Sequence, residues 1–326
     1  MAPEHGHGLV AFLFPGQGSQ VVGMGKELAE KHAIAKQVFR EADDALGFKL
    51  SQLCFEGPED ELRLTENTQP AILTTSIAAW RVLDENGVKP DFAAGHSLGE
   101  YSAHVSVGTL SFSDAVRAVR NRGKYMQEAV PVGTGAMAAI LGMAFDEVAA
   151  VCGDAAQGEV CEPANVNSPE QVVISGHTAA VERAVKLADQ RGAKRAKLLP
   201  VSAPFHCSLM RPAQERLGAD LEKLQFSQPR VRVVSNVDAR PVEDRDGARA
   251  ALIRQVTGSV RWSESIAWLA GQGVQTFIEV GPGKVLCGLM RQIDRSRKTL
   301  NVEDEASLDK TSEFIRAGLR SNESGR

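Results

Sequence analysis

The sequence predicts an α/β protein with a mostly parallel sheet and a smaller inserted subdomain. Residues 9–45 begin with an apolar strand, continue through a glycine-rich loop and end in an amphipathic helix, the unit from which parallel sheets are built. A second strand, turn and helix follow at residues 91–106. Between residues 133 and 200 the order changes to βαββαβ, which is typical of a ferredoxin-like unit. These three observations define the fold class.

Composition excludes several classes of protein. The 326 residues are 43% hydrophobic and 24% charged with a formal net charge of -4, values that argue against disorder and against a nucleic-acid partner. The five cysteines are odd in number, scattered and without Cys-x-x-Cys spacing. This pattern argues against a disulfide framework and a zinc site, and it favours a reducing, cytoplasmic location.

From the amino-terminal segment we expect no targeting signal. The apolar run from Leu9 to Phe14 is too short for a signal-peptide core or a membrane span. We therefore expect neither export nor a membrane anchor. His5 and His7 form a histidine pair in a terminal segment, where such pairs rarely bind a metal in a specific way, so no metal site is predicted.

The first glycine-rich loop is a candidate ligand-binding loop. It runs from Pro15 to Gln20, between the strand and a helix predicted over residues 25–45. Open α/β sheets place ligand-binding groups at this position, the carboxyl end of a strand. The loop lacks both the Lys-Ser/Thr of a P-loop and the third glycine of a dinucleotide fingerprint, so nucleotide binding is not expected.

The central motif is Gly95-His-Ser-Leu-Gly99. This Gly-x-Ser-x-Gly spacing is that of the nucleophile elbow, a sharp strand-to-helix turn that leaves the oxygen of Ser97 exposed at its tip. Gly95 and Gly99 are expected where a side chain would collide with the neighbouring strand or helix. The pattern is weak by itself in a glycine-rich chain, so its meaning depends on the rest of the sequence.

Two helices flank this motif. The first is predicted over residues 71–85, with Pro70 in its first turn. The second covers residues 113–129 and has an apolar face. It also carries four cations, and a charge run of this kind usually lies on the surface, which we expect for three of the four: Arg117, Arg120, Arg122 and Lys124.

The remaining elements divide the chain into two subdomains. We predict a discontinuous larger one at residues 1–131 and 202–326, and an inserted one at residues 132–201. Within the insert the strands are expected at 135–141, 160–166, 171–175 and 196–199, and the helices at 146–152 and 179–191. After it, strands are expected at 231–235 and 276–280, and helices at 212–224, 248–256, 263–272, from 286 and at 308–319.

With these loops placed, the chain resembles the malonyl-CoA:acyl carrier protein transacylases of fatty-acid synthesis and, more distantly, polyketide synthase acyltransferase domains. The resemblance covers nearly the whole length and implies an α/β-hydrolase-like large subdomain with a ferredoxin-like insert. The motifs that carry it occur in the family's order: Phe14-Pro-Gly-Gln-Gly-Ser-Gln20, Thr68-Gln-Pro70, Gly95-His-Ser-Leu-Gly-Glu-Tyr101, Arg122-Gly123, Gly133-Thr-Gly-Ala-Met137, Asn165-Val-Asn-Ser-Pro169, Val201-Ser-Ala-Pro-Phe-His206 and Glu279-Val-Gly-Pro-Gly-Lys284.

The resemblance implies that Ser97 is the nucleophile and His206 its general base. A serine hydroxyl is a poor nucleophile near neutral pH, so a base within hydrogen-bond reach is required. His96, beside the serine, is the competing candidate. In relatives the backbone carbonyl of the residue matching Gln255 holds the imidazole in place of a carboxylate. Gly258-Ser259, just after it, departs from the Asn-Pro found in some relatives.

The resemblance also implies the groups that bind the substrate. The backbone amides of Gln17 and Leu98 would form the oxyanion hole. Arg122 would bind the free carboxylate of malonyl, because a guanidinium forms two parallel hydrogen bonds with a carboxylate. Phe205 is typical of malonyl-using rather than methylmalonyl-using relatives, although one methyl group changes binding by only about 1–3 kcal/mol.

The implied activity is transfer of malonyl from malonyl-CoA to the phosphopantetheine thiol of acyl carrier protein, by a ping-pong route through malonyl-Ser97 and without a cofactor. A discrete malonyl acyltransferase that serves polyketide synthase carrier domains has the same chemistry. A carboxylesterase or lipase also has the elbow, but should have an acid between Ser97 and His206 and no need of Arg122. A non-catalytic carrier-binding module does not need all three residues.

Overall fold

The computed structural model describes residues 8–201 and 203–323, with the side chains of residues 8–201 and 203–318. His5 and His7 lie outside the described residues. In chain order, the strands are β1 Leu9–Phe14, β2 Phe92–Gly95, β3 Gly135–Leu141, β4 Cys161–Ser168, β5 Gln171–His177, β6 Arg195–Leu198, β7 Arg232–Val234, β8 Val274–Val280 and β9 Lys298–Val302.

The helices account for most of the remaining described chain. They are α1 Lys26–Lys31, α2 Ala33–Leu46, α3 Leu50–Glu56, α4 Glu59–Leu62, α5 Thr65–Glu85, α6 Gly99–Ser106, α7 Phe112–Glu128, α8 Phe145–Ala156, α9 Thr178–Gln190, α10 Arg211–Leu221, α11 Arg245–Arg254, α12 Trp262–Gly271, α13 Val285–Ile293 and α14 Glu305–Glu323, with a short 3₁₀ turn at Ser208–Met210.

The larger sheet is parallel throughout and has the strand order β7-β2-β1-β8-β9. Both of its faces are buried. Along β1, Val10, Phe12 and Phe14 pack into one core cluster, whereas Ala11 and Leu13 pack into another. Because helices cover both faces of a parallel sheet, successive side chains of a strand such as β1 are buried, and the strand is apolar along its whole length.

The smaller sheet has four antiparallel strands in the order β4-β5-β3-β6. Numbered within the βαββαβ unit, this order is 2-3-1-4, the arrangement that the ferredoxin-like unit requires. The helices α8 and α9 share a core of their own with these strands. All these elements lie inside the predicted insert, whose bounds at residues 132 and 201 stay a prediction.

The pairing of β1 with β2 places the two glycine-rich loops side by side. Phe14 pairs with Gly95 at the carboxyl end of both strands, and the amide of His96 donates to the carbonyl of Phe14 at 2.9 Å. The loop after β1 and the turn after β2 therefore meet at one edge of the sheet. This edge is where a parallel sheet offers a binding crevice.

The two subdomains are also joined by backbone hydrogen bonds outside the connecting segments. The amide of Val166 in β4 donates to the carbonyl of Val260 at 2.9 Å, and the amide of Val260 donates to the carbonyl of Ala164 at 2.8 Å. These bonds form an isolated parallel bridge between β4 and the segment before α12. The insert therefore has a third attachment to the larger subdomain.

Several predicted elements were wrong in detail. The single helix predicted over residues 25–45 is two helices, because His32 has an extended backbone and separates α1 from α2. Pro70 lies inside α5 rather than in its first turn, since the helix begins at Thr65, ahead of the apolar run that suggested its start. The short elements α3, α4 and β9 were not predicted. No helix in the described ranges has the length and apolar character needed to cross a membrane.

Candidate active site

Ser97 occupies the tip of a sharp turn between β2 and α6. Its φ is 53°, in the left-handed region that non-glycine residues rarely adopt. A Cβ on Gly99 would lie 2.1 Å from the carbonyl oxygen of Phe14, and one on Gly95 would lie even closer to Gly99. The expected steric need for both glycines is therefore present, and the strained turn is of the kind that concentrates at functional sites.

His206 is the imidazole that contacts the serine. Its Nε2 lies 2.7 Å from Ser97 Oγ, and its Nδ1 lies 2.9 Å from the backbone carbonyl oxygen of Gln255. Because a carbonyl only accepts, Nδ1 carries the proton and Nε2 is free to accept from the hydroxyl. Gly258-Ser259, close after Gln255, leaves this carbonyl in contact with the ring.

The environment keeps His206 uncharged. Burial, with the nearby charge of Arg122 as the second cause, lowers its pKa to about 3. The imidazole is thus neutral near pH 7 and able to accept a proton. His96 has other partners: its Nε2 lies 2.8 Å from Asn167 Oδ1, and its ring packs edge-on against Trp262.

Arg122 is the buried member of the four cations on α7, with only 2% of its surface exposed. Arg117 and Lys124 are exposed, and Arg120 is half-buried with its guanidinium over Phe48. Arg122 falls in the gap that the apolar stripe leaves between Val119 and Met126. A cation at a core-facing position of a helix was therefore a sequence signal for this residue.

The guanidinium of Arg122 reaches the serine. Its NH1 donates to Gln69 Oε1 at 2.7 Å, and its NH2 donates to Gln255 Oε1 at 2.9 Å and to Ser97 Oγ at 3.1 Å. Gln69 was not singled out from the sequence, although it is the middle residue of the quoted Thr68-Gln-Pro70. The serine oxygen thus lies between a neutral imidazole and a cation.

Gln17 and Leu98 belong to the two glycine-rich loops that meet beside Ser97. Gln17 follows β1 in the glycine-rich loop, and Leu98 precedes the first residue of α6. Within the described parts of the chain, neither backbone amide donates a hydrogen bond. Both residues line the same cavity as Ser97, so their amides are available to a bound oxygen.

The cavity around Ser97 has a volume of about 300 Å³ and lies between the two sheets. One end is polar and contains Ser97, His206 and Arg122. The walls are apolar and come from both subdomains, with Met137, Val173 and Leu199 from the insert and Met126 and Phe205 from the larger subdomain. A more open depression of about 820 Å³ contains none of the predicted site residues, so we do not assign the chemistry to it.

Asn236 fixes the backbone of the elbow and was not identified from the sequence. Its Oδ1 accepts from the amide of Ser97 at 2.7 Å, and its Nδ2 donates to the carbonyl of Gly95 at 2.7 Å. The side chain of Gln255 adds a bond from Nε2 to the carbonyl of Ser97 at 2.9 Å. The only sequence signal for Asn236 was its position at the end of a predicted strand, which places it at the carboxyl edge of the sheet.

Glu100 is a fully buried carboxyl beneath the elbow. Its Oε2 accepts from Gln255 Nε2 at 2.7 Å and from the amide of Asn236 at 3.1 Å. Burial raises its pKa to about 7, against the lowering effect of these hydrogen bonds and of Arg122. No group of three or more His, Cys, Asp or Glu side chains suited to a metal ion occurs in the described ranges.

Comparison with known proteins identifies the class to which this fold and site belong. Residues 11–313 match the model of the acyl transferase domain. The match spans most of the sequence, and the chain therefore belongs to the acyl transferase family.

Individual relatives narrow the comparison. The chain is 52% identical to the malonyl CoA-acyl carrier protein transacylase of Escherichia coli K12 over 284 residues, which is 87% of this chain and 92% of the relative. It is 52% identical to that of Bacillus subtilis 168 over 301 residues, 92% of this chain and 95% of the relative.

Solved structures have the same fold. The malonyl CoA-acyl carrier protein transacylase of Coxiella burnetii superposes with a TM-score of 0.93 at 45% identity, covering 94% of this chain and 98% of that one. A malonyl-transacylase solved in complex with its type II polyketide synthase acyl-carrier protein superposes with a TM-score of 0.92 at 46% identity, covering 94% and 99%.

Proposed function

We propose that this protein transfers malonyl from malonyl-CoA to the phosphopantetheine thiol of an acyl carrier protein and so supplies fatty-acid synthesis. Family membership and the names of the relatives support this activity. The observation that carries the mechanism is the hydrogen bond of 2.7 Å between Ser97 Oγ and the neutral His206. Malonyl-CoA and the carrier are substrates, and the reaction uses no cofactor.

In the first half-reaction, Ser97 Oγ attacks the thioester carbonyl of malonyl-CoA. His206 Nε2 takes the hydroxyl proton, and the carbonyl of Gln255 stabilises the ring while it is positively charged. The carbon–sulfur bond then breaks, the CoA sulfur receives the proton from His206, and malonyl-Ser97 remains.

The second half-reaction reverses these steps with a different thiol. The phosphopantetheine thiol gives its proton to His206 and attacks the ester carbonyl of malonyl-Ser97. The ester bond breaks and Ser97 regains its proton. In both halves the carbonyl oxygen becomes negative, and the free amides of Gln17 and Leu98 stabilise it in the oxyanion hole.

Arg122 gives the site its preference for a malonyl group. The buried guanidinium lies 3.1 Å from Ser97 Oγ, so it can contact the carboxylate at the far end of a three-carbon acyl group on that serine. A charge buried in such a cavity requires an opposite charge. An acetyl group, by contrast, has no carboxylate to offer to the guanidinium.

The carrier has two candidate identities. Fatty-acid acyl carrier protein is the first, since the relatives from Escherichia coli and Bacillus subtilis are malonyl CoA-acyl carrier protein transacylases. A polyketide synthase carrier is the second, because the similar structure noted above was solved with such a carrier. Transfer rates to one purified carrier of each kind distinguish them. We also propose a cytoplasmic location, which the five unpaired cysteines support.

The deciding experiment is mass spectrometry after incubation with malonyl-CoA. We expect the mass of a malonyl group on the peptide that contains Ser97, no adduct in Ser97→Ala, and residual labelling in Ser97→Cys. A simple ester tests the esterase alternative, because an esterase would turn it over without forming a stable malonyl adduct. An adduct in Ser97→Ala would mean that another residue is the nucleophile.

A further inference from the structure

The buried guanidinium of Arg122 has only neutral acceptors around it. Gln69 Oε1, Gln255 Oε1 and Ser97 Oγ take its hydrogen bonds. Among the described residues, no carboxylate accepts a hydrogen bond from Arg122, and its Nε has no hydrogen-bond partner. A buried cation requires a compensating negative charge, so the structure raises the question of which group supplies it before substrate binds.

Glu100 is connected to this cation through one amide group. Gln255 presents its oxygen to Arg122 NH2 at 2.9 Å and its nitrogen to Glu100 Oε2 at 2.7 Å. The amide dipole therefore lies between a cation at its negative end and a carboxylate at its positive end. Both side chains are buried, with 2% of Arg122 and 0% of Glu100 exposed, and water screens this interaction little.

We propose that Glu100 is the counter-charge of Arg122 in the free enzyme, acting through Gln255, and that it takes up a proton when the carboxylate of malonyl binds to Arg122. Two carboxylates then share one guanidinium, and the surplus negative charge is removed by protonation of Glu100. This inference rests on the proposed function, in which Arg122 binds the malonyl carboxylate. It makes Glu100 a determinant of malonyl binding without any contact with the substrate.

Protonation of Glu100 requires no change in the hydrogen bonds that the side chain already accepts. Burial raises its pKa to about 7, so small changes in local charge protonate or deprotonate it near physiological pH. Its Oε1 has no hydrogen-bond partner among the described groups. A proton on this oxygen leaves both hydrogen bonds to Oε2 in place, and the elbow keeps its geometry.

The other titratable groups near Glu100 keep their charge states between pH 6 and 9. Tyr101 and His104 share its helix, and burial raises the pKa of the first and lowers that of the second to about 3. Across the site, His206 is neutral. Asp238 and Arg254, near α11, form an ion pair that lowers the pKa of the carboxyl and raises that of the guanidinium.

The direction in which the affinity for malonyl-CoA changes with pH follows from the linkage between substrate binding and proton binding. A second carboxylate at Arg122 disfavours ionised Glu100, so binding raises the pKa of Glu100 further above 7. The bound state then holds more protons than the free state, and affinity for malonyl-CoA falls as pH rises above about 7. With one linked proton, the affinity can fall by at most roughly tenfold per pH unit. Acetyl-CoA has the same CoA phosphates but no acyl carboxylate, so its affinity should not follow this trend.

Calorimetric titration of Ser97→Ala tests the proposal without turnover. Malonyl-CoA and acetyl-CoA are titrated at pH 6.5, 7.5 and 8.5, each in two buffers of different ionisation enthalpy, so that proton uptake is measured directly. We expect net uptake with malonyl-CoA at the two higher pH values, and a dissociation constant at least about fivefold larger at pH 8.5 than at pH 6.5. Acetyl-CoA should show neither effect. Malonyl-CoA binding without proton uptake would overturn the proposal.

A second variant assigns the proton to Glu100. Glu100→Gln, made in the Ser97→Ala background, keeps an acceptor oxygen for both donors and removes the charge. We expect the proton uptake to vanish and malonyl-CoA to bind at least about fivefold more tightly at pH 8.5 than in the parent. Unchanged uptake in this variant would assign the proton elsewhere. If Glu100→Gln does not fold, the Ser97→Ala titrations still test the proposal, because malonyl-CoA binding without proton uptake contradicts it.

Asp43→Asn is the matched control. Asp43 is a buried carboxylate that accepts from the amide and hydroxyl of Ser51, on the surface of α2 that faces α3. It does not line the cavity of Ser97, so the pH dependence should persist in this variant. Failure of the proposed function has a different signature, since wild-type protein would then form no malonyl adduct on Ser97.

Discussion

Gly95 and Gly99 lie in contact across the turn that carries Ser97. A Cβ on Gly95 would lie 1.9 Å from the carbonyl carbon of Gly99, a distance at which backbone atoms cannot remain in place. The close approach of the two glycines is what allows the strand to pass directly into α6 and present the serine. The position of Ser97 is therefore determined by the packing between β2 and α6 as much as by the serine itself.

Gly95→Ala should abolish malonyl loading and lower the free energy of unfolding, because the new methyl group meets the backbone of Gly99. Gly153→Ala is the control. Gly153 lies exposed within α8 with no atom within 4 Å of an added Cβ, so alanine there should stabilise the protein by roughly 0.5–1 kcal/mol. Urea unfolding and adduct mass measure both effects. A Gly95→Ala variant with wild-type loading would show that the elbow tolerates separation of β2 and α6.

His206→Ala should slow both half-reactions about a hundredfold or more, because in the proposed mechanism one imidazole accepts the proton of Ser97 and later that of the carrier thiol. Rapid-quench measurement of CoA release follows the first half, and transfer from isolated malonyl-enzyme follows the second. His96→Gln provides the comparison. Loss of loading in His96→Gln, together with normal loading in His206→Ala, would reverse the assignment of the base.

Arg122→Ala should reduce kcat/KM for malonyl-CoA by roughly thirtyfold to several thousandfold, since removing one member of a buried charge pair costs about 2–5 kcal/mol. The slow reaction with acetyl-CoA should stay unchanged or rise. Arg122→Lys should recover only part of the loss, because an ammonium lacks the two parallel donors. An equal fall for both donors would mean that Arg122 supports the fold or binds the CoA portion.

His104→Leu should change how stability depends on pH. His104 is fully buried, neither ring nitrogen has a partner among the described groups, and burial lowers its pKa to about 3. Between pH 3 and 6.5 the unfolded chain binds a proton at this residue that the folded chain does not, so wild-type stability falls as pH falls. The advantage of His104→Leu over wild type should therefore grow by about 2 kcal/mol between pH 8 and pH 5. Urea unfolding at both values checks it, and a constant difference would contradict the buried neutral state.

The parts of the fold that the sequence predicted are those with local causes. The elbow requires glycine for steric reasons at two positions within a stretch of five residues. The strands of both sheets have apolar patterns that can be recognised in each strand separately. The break between α1 and α2 has no such cause: His32 is an ordinary helix residue, and its Nε2 contacts Glu305, far away in the chain. The strand β9 is a short edge strand whose burial depends on α14.

The candidate site divides in the same way. Ser97 followed from its motif, whereas the role of His206 came only from the resemblance, because its contact with Ser97 spans 109 positions and its φ of 59° has no local signature. The side chain of Gln255 forms hydrogen bonds with Arg122, Glu100 and the elbow. No sequence pattern predicts that a particular glutamine connects three such groups. Contacts between distant segments decide these positions, and periodicity does not encode them.

The backbone bridge between β4 and Val260 limits how the cleft can open. Rotation of the insert about its two chain crossings would lengthen both hydrogen bonds that Val260 makes with β4, so the bridge restrains such rotation. The cavity is lined by Met137 and Val173 of the insert and by Phe205 of the larger subdomain. A restraint between the subdomains is therefore also a restraint on the width of the pocket that receives the acyl group.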